Sequence, residues 1–464
     1  GPLYIPGKFN TNKDKLVYYV TGEIYRTVAV ESLQSRTMPT SLQRKGDFSQ
    51  TRNASGQPVT IKDPAAGGAP FPGNIIPENR WDPLGVKAIN WFPLPNREGI
   101  NPTFNYQYEF KPKQERNDFT GRLDYNISDK WKFFFRFIRN KNHGYGSGGL
   151  GVGANIGVSP FINQETGQIS ATANLTTIIT PTLTNEFNYG NSRNWLPNKP
   201  PDDSKYLIKN SGVKLPILYP NADPVGFMAG MRFDGIVNMN PPNWYANGVP
   251  YDNENPVANY TDTIAKVFPK HIVKAGLFIE DALKRQTAYA PSPGTYYFTT
   301  DAANPLDTGW DFANLLVGTF QSFEQASVLS KGFYRYYNYE WFVQDNWRVL
   351  PSLTLDYGVR FSYLPHTFDE KNQMAGINPG LYNAAKAVKL YQKAIDPATG
   401  KVAAYNPLTG QYLASTFIGA IIPGSGDMNN GLVQEGKNGY PKGLIDSPGV
   451  KVAPRFGLAW TPAG

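Results

Sequence analysis

Few residues of this chain have the types and spacing that metal binding or catalysis requires. The sequence contains no cysteine, and its three histidines, His143, His271 and His366, are scattered. Zinc sites need histidine or thiolate ligands at short intervals, so neither a zinc site nor a thiol nucleophile is expected. Because no serine, histidine and acid are spaced as a catalytic triad, we predict a protein that is not an enzyme and holds no cofactor or metal.

Two polar segments have weaker similarities to known ion-binding and phosphate-binding loops. Residues 252–255 (DNEN) place four oxygen-bearing side chains together, as calcium requires, but lack the glycine and the terminal glutamate of known calcium loops. A solvated turn is the favoured interpretation, with calcium binding as the alternative. Residues 146–153 (GSGGLGVG) are as rich in glycine as a phosphate-binding loop, yet no lysine and helix follow them. This run is typical of a flexible extracellular loop.

The elements that must position any binding residues are β-strands. Between Tyr336 and Tyr363 two runs alternate strictly between apolar and polar residues, with Phe342 as the one exception. A period of two predicts strands. Each run reaches the ~9–11 residues that a membrane-spanning strand needs, and aromatic residues dominate its apolar face. The pattern therefore predicts a hairpin of an antiparallel transmembrane β-barrel, an all-β fold whose apolar face touches lipid.

Composition and charge limit the other classes of protein. No apolar stretch approaches the ~18 residues of a transmembrane helix, which excludes a helical membrane protein. The 45 basic and 37 acidic residues give a net charge of +8. This mild excess favours a generally basic surface, with contact to outer-membrane lipid and lipopolysaccharide or to an acidic ligand as the alternative. Nucleic acid is not an expected partner, because the strand-rich regions contain no basic cluster.

The same alternation predicts about a dozen strands in consecutive antiparallel order. They cover residues 15–26, 116–126, 131–140, 170–180, 182–194, 261–267, 271–284, 295–300, 322–329, 336–350, 353–363 and 453–460. Tight turns alternate with long polar segments at 28–115, 141–166, 195–259 and 365–452. Transmembrane barrels have short periplasmic turns and long outer loops, so we assign the long segments to the cell exterior. Short helices are predicted within the connections at 82–92, 310–317 and 381–394.

Alternation also selects the candidate ligand-binding residues. The polar side chains predicted to face the lumen are Arg122, Asp124, Glu340, Gln344, Asp356 and Arg360. Ordinary ion pairing within the barrel is the alternative role for them. For the aromatic residues on strands, a place in the interfacial girdle is favoured over a place in a carbohydrate-binding groove. These residues are Tyr18, Tyr19, Trp131, Tyr339, Trp341 and Trp460. In a long exterior segment, Trp195, Trp244 and Tyr245 are better candidates for stacking on a sugar, with loop packing as the alternative.

Several phrases carry a resemblance to one family. They are residues 1–10 (GPLYIPGKFN), 46–49 (GDFS), 61–64 (IKDP), 70–77 (PFPGNIIP), 92–96 (FPLPN) and 342–347 (FVQDNW). In this order they resemble the Oar-like TonB-dependent receptors, which are bacterial outer-membrane proteins. Those receptors have an amino-terminal carboxypeptidase-regulatory-like domain, a plug and a large barrel. The resemblance runs, with gaps, from Gly1 to Trp460.

The resemblance implies that residues 1–464 are a barrel portion without the regulatory-like domain, the plug and the TonB-box segment. Large outer-membrane transporters close at about 22 strands. A dozen strands alone should therefore not form a closed pore, because two unpaired edges would lie in lipid.

For function, the resemblance implies an outer-membrane receptor that imports an unidentified extracellular ligand. The ligand would bind to the extracellular loops and the plug, and a TonB-type protein would supply energy through the plug. A passive or structural outer-membrane barrel, such as a porin or an adhesion scaffold, is the first alternative. A secreted all-β glycan-binding protein is the second, and the absence of a repeat of fixed period argues against it.

Overall fold

One large antiparallel sheet dominates the computed structural model, which describes residues 1–28, 33–97, 103–109, 113–146, 162–236, 238–246 and 250–461. Each long strand pairs with its neighbours in chain order. The ten long strands are β1 (Leu16–Val28), β2 (Lys113–Asn126), β3 (Trp131–Gly146), β4 (Ile162–Thr180), β5 (Leu183–Trp195), β6 (Asn253–Val267), β7 (His271–Thr287), β8 (Lys331–Leu350), β9 (Leu353–Tyr363) and β10 (Lys451–Trp460). Two strands of two residues, Asn198–Lys199 and Phe368–Asp369, join the same sheet beside β4 and β8.

The strands form because apolar and polar residues alternate along them, and the register carries that alternation across the sheet. Trp341 of β8 lies opposite Leu277 of β7 and Phe361 of β9. The Trp341 and Phe361 rings are stacked, with 5.5 Å between their centroids. We call this apolar side the outward face and the polar side the inner wall.

The predicted assignment of faces is confirmed for this hairpin and its neighbours. Phe135 of β3 lies between Leu123 of β2 and Ala173 of β4 on the outward face. Tyr19 is an exception among the predicted girdle residues, because it lies opposite Arg122 and so belongs to the inner wall. Its place one residue after Tyr18 already puts it on the other side of the strand.

Four tight turns join the hairpins at one end of the sheet, after β2, β4, β6 and β8. The long connections meet at the opposite end, which the general rule for transmembrane barrels places outside the cell. We number them outer connections 1 (29–112), 2 (147–161), 3 (196–252), 4 (288–330) and 5 (364–450). Connection 2 lies outside the described residues, and with it most of the glycine-rich run predicted as a loop.

Outer connection 4 corrects the sequence prediction of two further barrel strands there. Thr295–Tyr297 and Ser322–Glu324 do pair, but with each other and with Gly230–Arg232 in a separate three-stranded sheet. Their few alternating residues contribute to a small packed unit rather than to the membrane wall. Other boundaries also differ, and the largest shifts are that β3 extends to Gly146, β4 begins at Ile162 and β6 begins at Asn253.

The helices are short and lie in the connections. The predicted helices at 82–92 and 310–317 are confirmed as α1 (Pro83–Trp91) and α3 (Asp311–Val317), with α2 (Ile208–Ser211) between them. Asp82 caps α1, because its carboxylate accepts hydrogen bonds from Leu84 N and Gly85 N. None of the described helices is both long and apolar enough to cross a membrane.

The predicted helix at 381–394 is wrong. Two 3₁₀ turns, Pro379–Leu381 and Ala384–Lys386, are followed there by the strand Gln392–Ile395. Asn378 and Asn383 accept backbone hydrogen bonds at the start of each turn and so favour separate turns over one helix. The remaining short strands are Gln34–Arg36, Lys62–Asp63, Ala69–Pro70, Tyr106–Tyr108, Ala375–Ile377, Val402–Tyr405, Tyr412–Leu413 and Leu432–Gln434, and the remaining 3₁₀ turns are Gln43–Lys45, Pro64–Ala66, Pro72–Asn74, Glu78–Arg80 and Ser415–Phe417.

The hydrophobic core of the described residues is not in the sheet. Its buried members all come from outer connections 1, 3 and 4, and they include Phe48, Tyr206, Phe233 and Phe312. We call this packed unit of three connections the cap. The sheet instead exposes its large apolar residues on the outward face, as lipid contact requires.

Candidate ligand-binding site

Backbone hydrogen bonds join the three connections of the cap. Thr37 N donates to Asn240 O at 2.6 Å and links connections 1 and 3. Lys62 N donates to Thr308 O at 2.7 Å, and Asp82 N to Leu316 O at 2.9 Å, and both link connections 1 and 4. Connections far apart in sequence are thereby fixed against one another above the outer end of the sheet.

Helices α1 and α3 approach closely at the centre of the cap. A Cβ atom added to Gly85 would collide with the backbone oxygen of Leu315, so only glycine allows this approach. The buried guanidinium of Arg44 closes the end of α1, donating to Ile89 O at 3.0 Å, Phe92 O at 2.9 Å and Pro93 O at 2.7 Å. Burial lowers the pKa of Arg44 to about 10. Backbone carbonyls thus take the place of a carboxylate partner.

Asp311, at the start of α3, ties connection 4 to connection 3. It is fully buried, and its carboxylate accepts hydrogen bonds from Thr300 N at 2.9 Å and Gly235 N at 2.8 Å. Burial raises the pKa of Asp311 to about 7, against the opposing effect of these hydrogen bonds. Its charge therefore changes near neutral pH.

The structure separates the two predicted loop aromatics of connection 3. Trp244 is 1% exposed and packs in the cap core against Tyr206, with 5.2 Å between the ring centroids. It cannot stack on a ligand in this conformation, so loop packing is its role. Tyr245 is partly exposed, and the guanidinium of Arg232 lies 5.0 Å from its ring. Of the two, Tyr245 remains accessible to a ligand.

The third predicted aromatic, Trp195, is not in a loop. It is the last residue of β5 and lies opposite Gly167 of β4 and Glu254 of β6. This register places its indole on the outward face, with Phe137 and Phe187, rather than above the lumen. The prediction of an exterior-loop position is therefore wrong for Trp195, because β5 extends further than its polar sequence indicated.

The predicted inner-wall charges lie on the inner wall, but they are paired. Arg122 donates to Asp124 through Nε at 2.8 Å and through Nη2 at 2.7 Å, and its guanidinium lies 4.3 Å from the Phe134 ring. Residues two apart on a strand share a face, which makes this ion pair possible. The pair neutralises itself yet leaves both side chains partly exposed to the lumen.

A second group of predicted residues lies on β8 and β9. Glu340 forms an ion pair with Arg360 at 3.3 Å. Asp356 accepts a hydrogen bond from Asn346 at 2.6 Å. Gln344 and Arg360 line a depression of about 380 Å³ on the inner wall. The structure therefore brings Glu340, Gln344 and Arg360 together and leaves the Arg122–Asp124 pair six strands away.

Sequence analysis missed an amide network on the inner wall of β4 and β5. Asn174 Nδ2 donates to Glu186 Oε1 at 2.8 Å and to Asn188 Oδ1 at 2.7 Å. The signal was present in the alternating polar residues of 170–176 and 184–192, which were assigned to strands without a binding role. Such a wall offers donors and acceptors to a polar solute with little net charge.

The acids that suggested calcium have cationic partners. Asp252 pairs with Lys331, and Glu254 lies beside both Arg193 and Arg285. Across the described ranges, no three histidine or acidic residues are grouped to hold a metal ion. Asn253, Glu254 and Asn255 of the DNEN segment form the start of β6, with Asp252 directly before it, so the segment is not a solvated turn.

The profile of a family described as "Outer membrane beta barrel domain" matches residues 1–464. The chain belongs to this family. Its localisation is the bacterial outer membrane, and the apolar outward face of the sheet is the surface that meets lipid. No curated protein sequence matches the chain.

Solved structures of outer-membrane barrels resemble the chain at low identity. The copper transporter OprC is 9% identical with a TM-score of 0.27, and the match covers 66% of this chain and 36% of OprC. The ferric-catecholate import receptor Fiu of Escherichia coli K12 is 11% identical with a TM-score of 0.31, covering 76% and 42%. The Escherichia coli outer membrane protease OmpT is 7% identical with a TM-score of 0.18, covering 57% and 78%. The chain thus spans less than half the length of OprC and of Fiu.

Proposed function

We propose that this chain is the barrel portion of an Oar-like TonB-dependent receptor, which captures an extracellular ligand and imports it with energy from the inner membrane. The cap is the observation that supports this proposal most. Three outer connections share one hydrophobic core, so the outer end of the sheet carries a preformed surface instead of independent loops. Preformed surfaces bind more tightly, because less conformational entropy is lost on binding.

The inner wall supports the second part of the proposal. The charges predicted there from alternation are paired, as in Arg122–Asp124 and Glu340–Arg360, and an amide network of Asn174 and Asn188 lies along β4 and β5. A ligand that leaves the cap would meet a polar path of low net charge, which binds weakly and permits release. Tight capture outside and weak binding inside require work for the transfer, and a TonB-type partner would provide it through a plug.

The test uses the full-length protein, first to identify the ligand and then to follow its import. Mass spectrometry of material that copurifies with the intact receptor identifies the ligand. Uptake is then measured in cells with and without the TonB-type protein. We expect uptake to stop in its absence while surface binding persists. A passive barrel, the alternative function, would take up the ligand equally in both cells and would conduct ions constitutively in a planar bilayer.

A further inference from the structure

Basic and aromatic side chains meet on the outward face where β3, β4 and β5 approach their outer ends. Arg139, Ile169 and Arg193 lie side by side across the three strands. One row nearer the cell exterior, Lys141, Gly167 and Trp195 are aligned in the same way. Because neighbouring strands are ~4.8 Å apart and successive rows ~6.8 Å apart, these two rows bring the backbone positions of three cations and an indole within about 12 Å of one another.

Gly167 leaves room on this surface for the indole of Trp195. A Cβ atom added to Gly167 would collide with the indole of Trp195, so the ring covers the glycine. The indole therefore extends from β5 toward β3, where Lys141 occupies the same row. An aromatic ring beside a cation is a suitable surface for a sugar that carries a negative group.

Two outward cations of β3, Arg139 and Lys141, have no partner among the residues that the structure describes. Arg139 and Lys141 are exposed, and neither forms an ion pair or a hydrogen bond through its side chain within the described ranges of the chain. Arg193 pairs with Glu254 but remains 57% exposed. The other nearby outward carboxylates, Glu115 and Glu165, lie one row further out, opposite His143. The lower two rows thus have an excess of positive charge.

The height of these rows agrees with the outer boundary of the membrane. Trp131, which starts β3 at the periplasmic end, lies opposite Thr177. Ile169 and Gly167 are eight and ten residues further along β4, which at ~3.4 Å per residue and a tilt of ~45° places them ~19 and ~24 Å above Trp131. The apolar band of such barrels is ~25 Å tall. Lys141 therefore lies at the outer edge of this band, and Arg139 and Arg193 start about 6 Å below it, a distance that their long side chains span to reach the lipid head groups.

A shallow groove leads from these rows into the apolar band. Along β4 the outward residues below Ile169 are Ala171 and Ala173. On β3 they are flanked by Phe137 and Phe135, and on β5 by Asn191 and Tyr189. Two small side chains beside the aromatic ridge of β3 leave space for one extended acyl chain.

We propose that this surface binds one phosphorylated glycolipid of the outer leaflet, the lipid A portion of lipopolysaccharide. Its phosphates are held by Arg139 and Lys141, with Arg193 beside them, because guanidinium and ammonium groups are the usual phosphate donors. A sugar ring lies against Trp195, and an acyl chain follows the alanines of β4. This site is separate from the capture of ligand by the cap and does not depend on it.

The test compares lipid A that carries both phosphates with chemically dephosphorylated lipid A. The full-length protein in detergent is mixed with each lipid, and native mass spectrometry measures the bound fraction. We expect the wild-type protein to retain bisphosphorylated lipid A at least about tenfold better. The R139Q/K141Q variant should lose most of this preference, while R136Q, on the same strand but on the inner wall, should keep it.

Each outcome is decisive. Equal retention of the two lipids by the wild-type protein would overturn the proposal even if the double variant failed to fold. So would equal losses in R136Q and R139Q/K141Q, with folding of each verified by heat-dependent gel mobility. Filling the groove with A171L/A173L should weaken lipid A binding severalfold and leave the phosphate preference intact; unchanged binding would refute the acyl-chain part.

Discussion

Replacing Ala173 with arginine tests the assignment of the outward face to lipid. Ala173 lies on β4 between Phe135 and Tyr189. Because alanine is small, A173R removes almost no packing and adds one long charged side chain to the outward face. The loss in the free energy of unfolding then shows whether lipid or water surrounds the new charge.

The expected magnitude follows from the register. Ala173 is four residues above Thr177, the partner of Trp131. This places it ~10 Å above the periplasmic girdle, close to the centre of a ~25 Å apolar band. An arginine on the lipid face at mid-membrane costs about 2–4 kcal/mol, and the cost decreases toward either boundary. In water an exposed arginine on a strand would change the free energy of unfolding by no more than about 0.5 kcal/mol.

The matched control is S170R, which introduces the same side chain on the inner wall of the same strand. Ser170 lies between Ile138 and Ser192. Urea-dependent folding of the full-length protein into lipid vesicles measures the free energy of unfolding for both variants. We expect A173R to lose about 2–4 kcal/mol and S170R less than about 1 kcal/mol. Equal losses would refute the facing assignment and with it the barrel.

Three further predictions concern the cap. Because the pKa of Asp311 is raised, protonation of its carboxyl group stabilises the cap fully below pH ~4, and this contribution decreases by about 1.4 kcal/mol per pH unit as pH rises from ~4 to ~7. Hydrogen exchange of α3, corrected for intrinsic rates, should therefore show easier opening at pH 8 than at pH 5. Identical opening at the two pH values would contradict this prediction. G85A should destabilise the cap by about 1–3 kcal/mol, because the added methyl group would collide with the backbone oxygen of Leu315. The variant should therefore increase proteolysis of connection 1, and an unaltered digestion pattern would count against this packing. W244A should cost about 3–5 kcal/mol of cap stability by removing a buried ring, measured by hydrogen exchange, and a selective loss of ligand binding without destabilisation would show that Trp244 contacts ligand after all.

The barrel strands were predictable because their signal is local. In β9 every second residue from Leu353 to Tyr363 is apolar, and the structure keeps that whole series on one face. Lipid supplies the partner for this face at every strand, so no distant contact is needed to decide which residues point outward. The same rule explains the error at Tyr19, where two adjacent tyrosines were assigned to one girdle although they must alternate.

The cap was not predictable in the same way, because its contacts are distant in sequence. Gly85 meets Leu315, and Asp311 meets Gly235, across gaps that no periodicity links. The helices α1 and α3 were visible as short patterns, but nothing in either sequence identified the other as its partner. Connection 4 was assigned in part to barrel strands for this reason, since three alternating residues look alike in a membrane wall and in a small sheet.

The same distinction explains the outcome for the candidate site. Arg122 and Asp124 could be placed on the inner wall from alternation alone, and their pairing follows from two-residue spacing. Trp195 and Trp244 were chosen for their aromatic rings in polar surroundings, which do not reveal whether a ring faces lipid, a core or solvent. The register of β5 decides the first case and the cap core the second.

The distribution of apolar residues divides the molecule into a cap, to which we assign ligand capture, and a wall, along which the ligand would pass. The sheet gives its apolar face to lipid and so has no hydrophobic core of its own to hold the outer connections in place. The cap must therefore be stabilised by its own core, which Gly85, Arg44 and Asp311 complete at the contacts between connections. A unit that has a hydrophobic core of its own and meets the wall at few points, such as the pairing of Asn198–Lys199 with β4, can change its conformation with little disturbance of the strands. That property suits a surface that must hold a ligand tightly and later release it into a polar lumen.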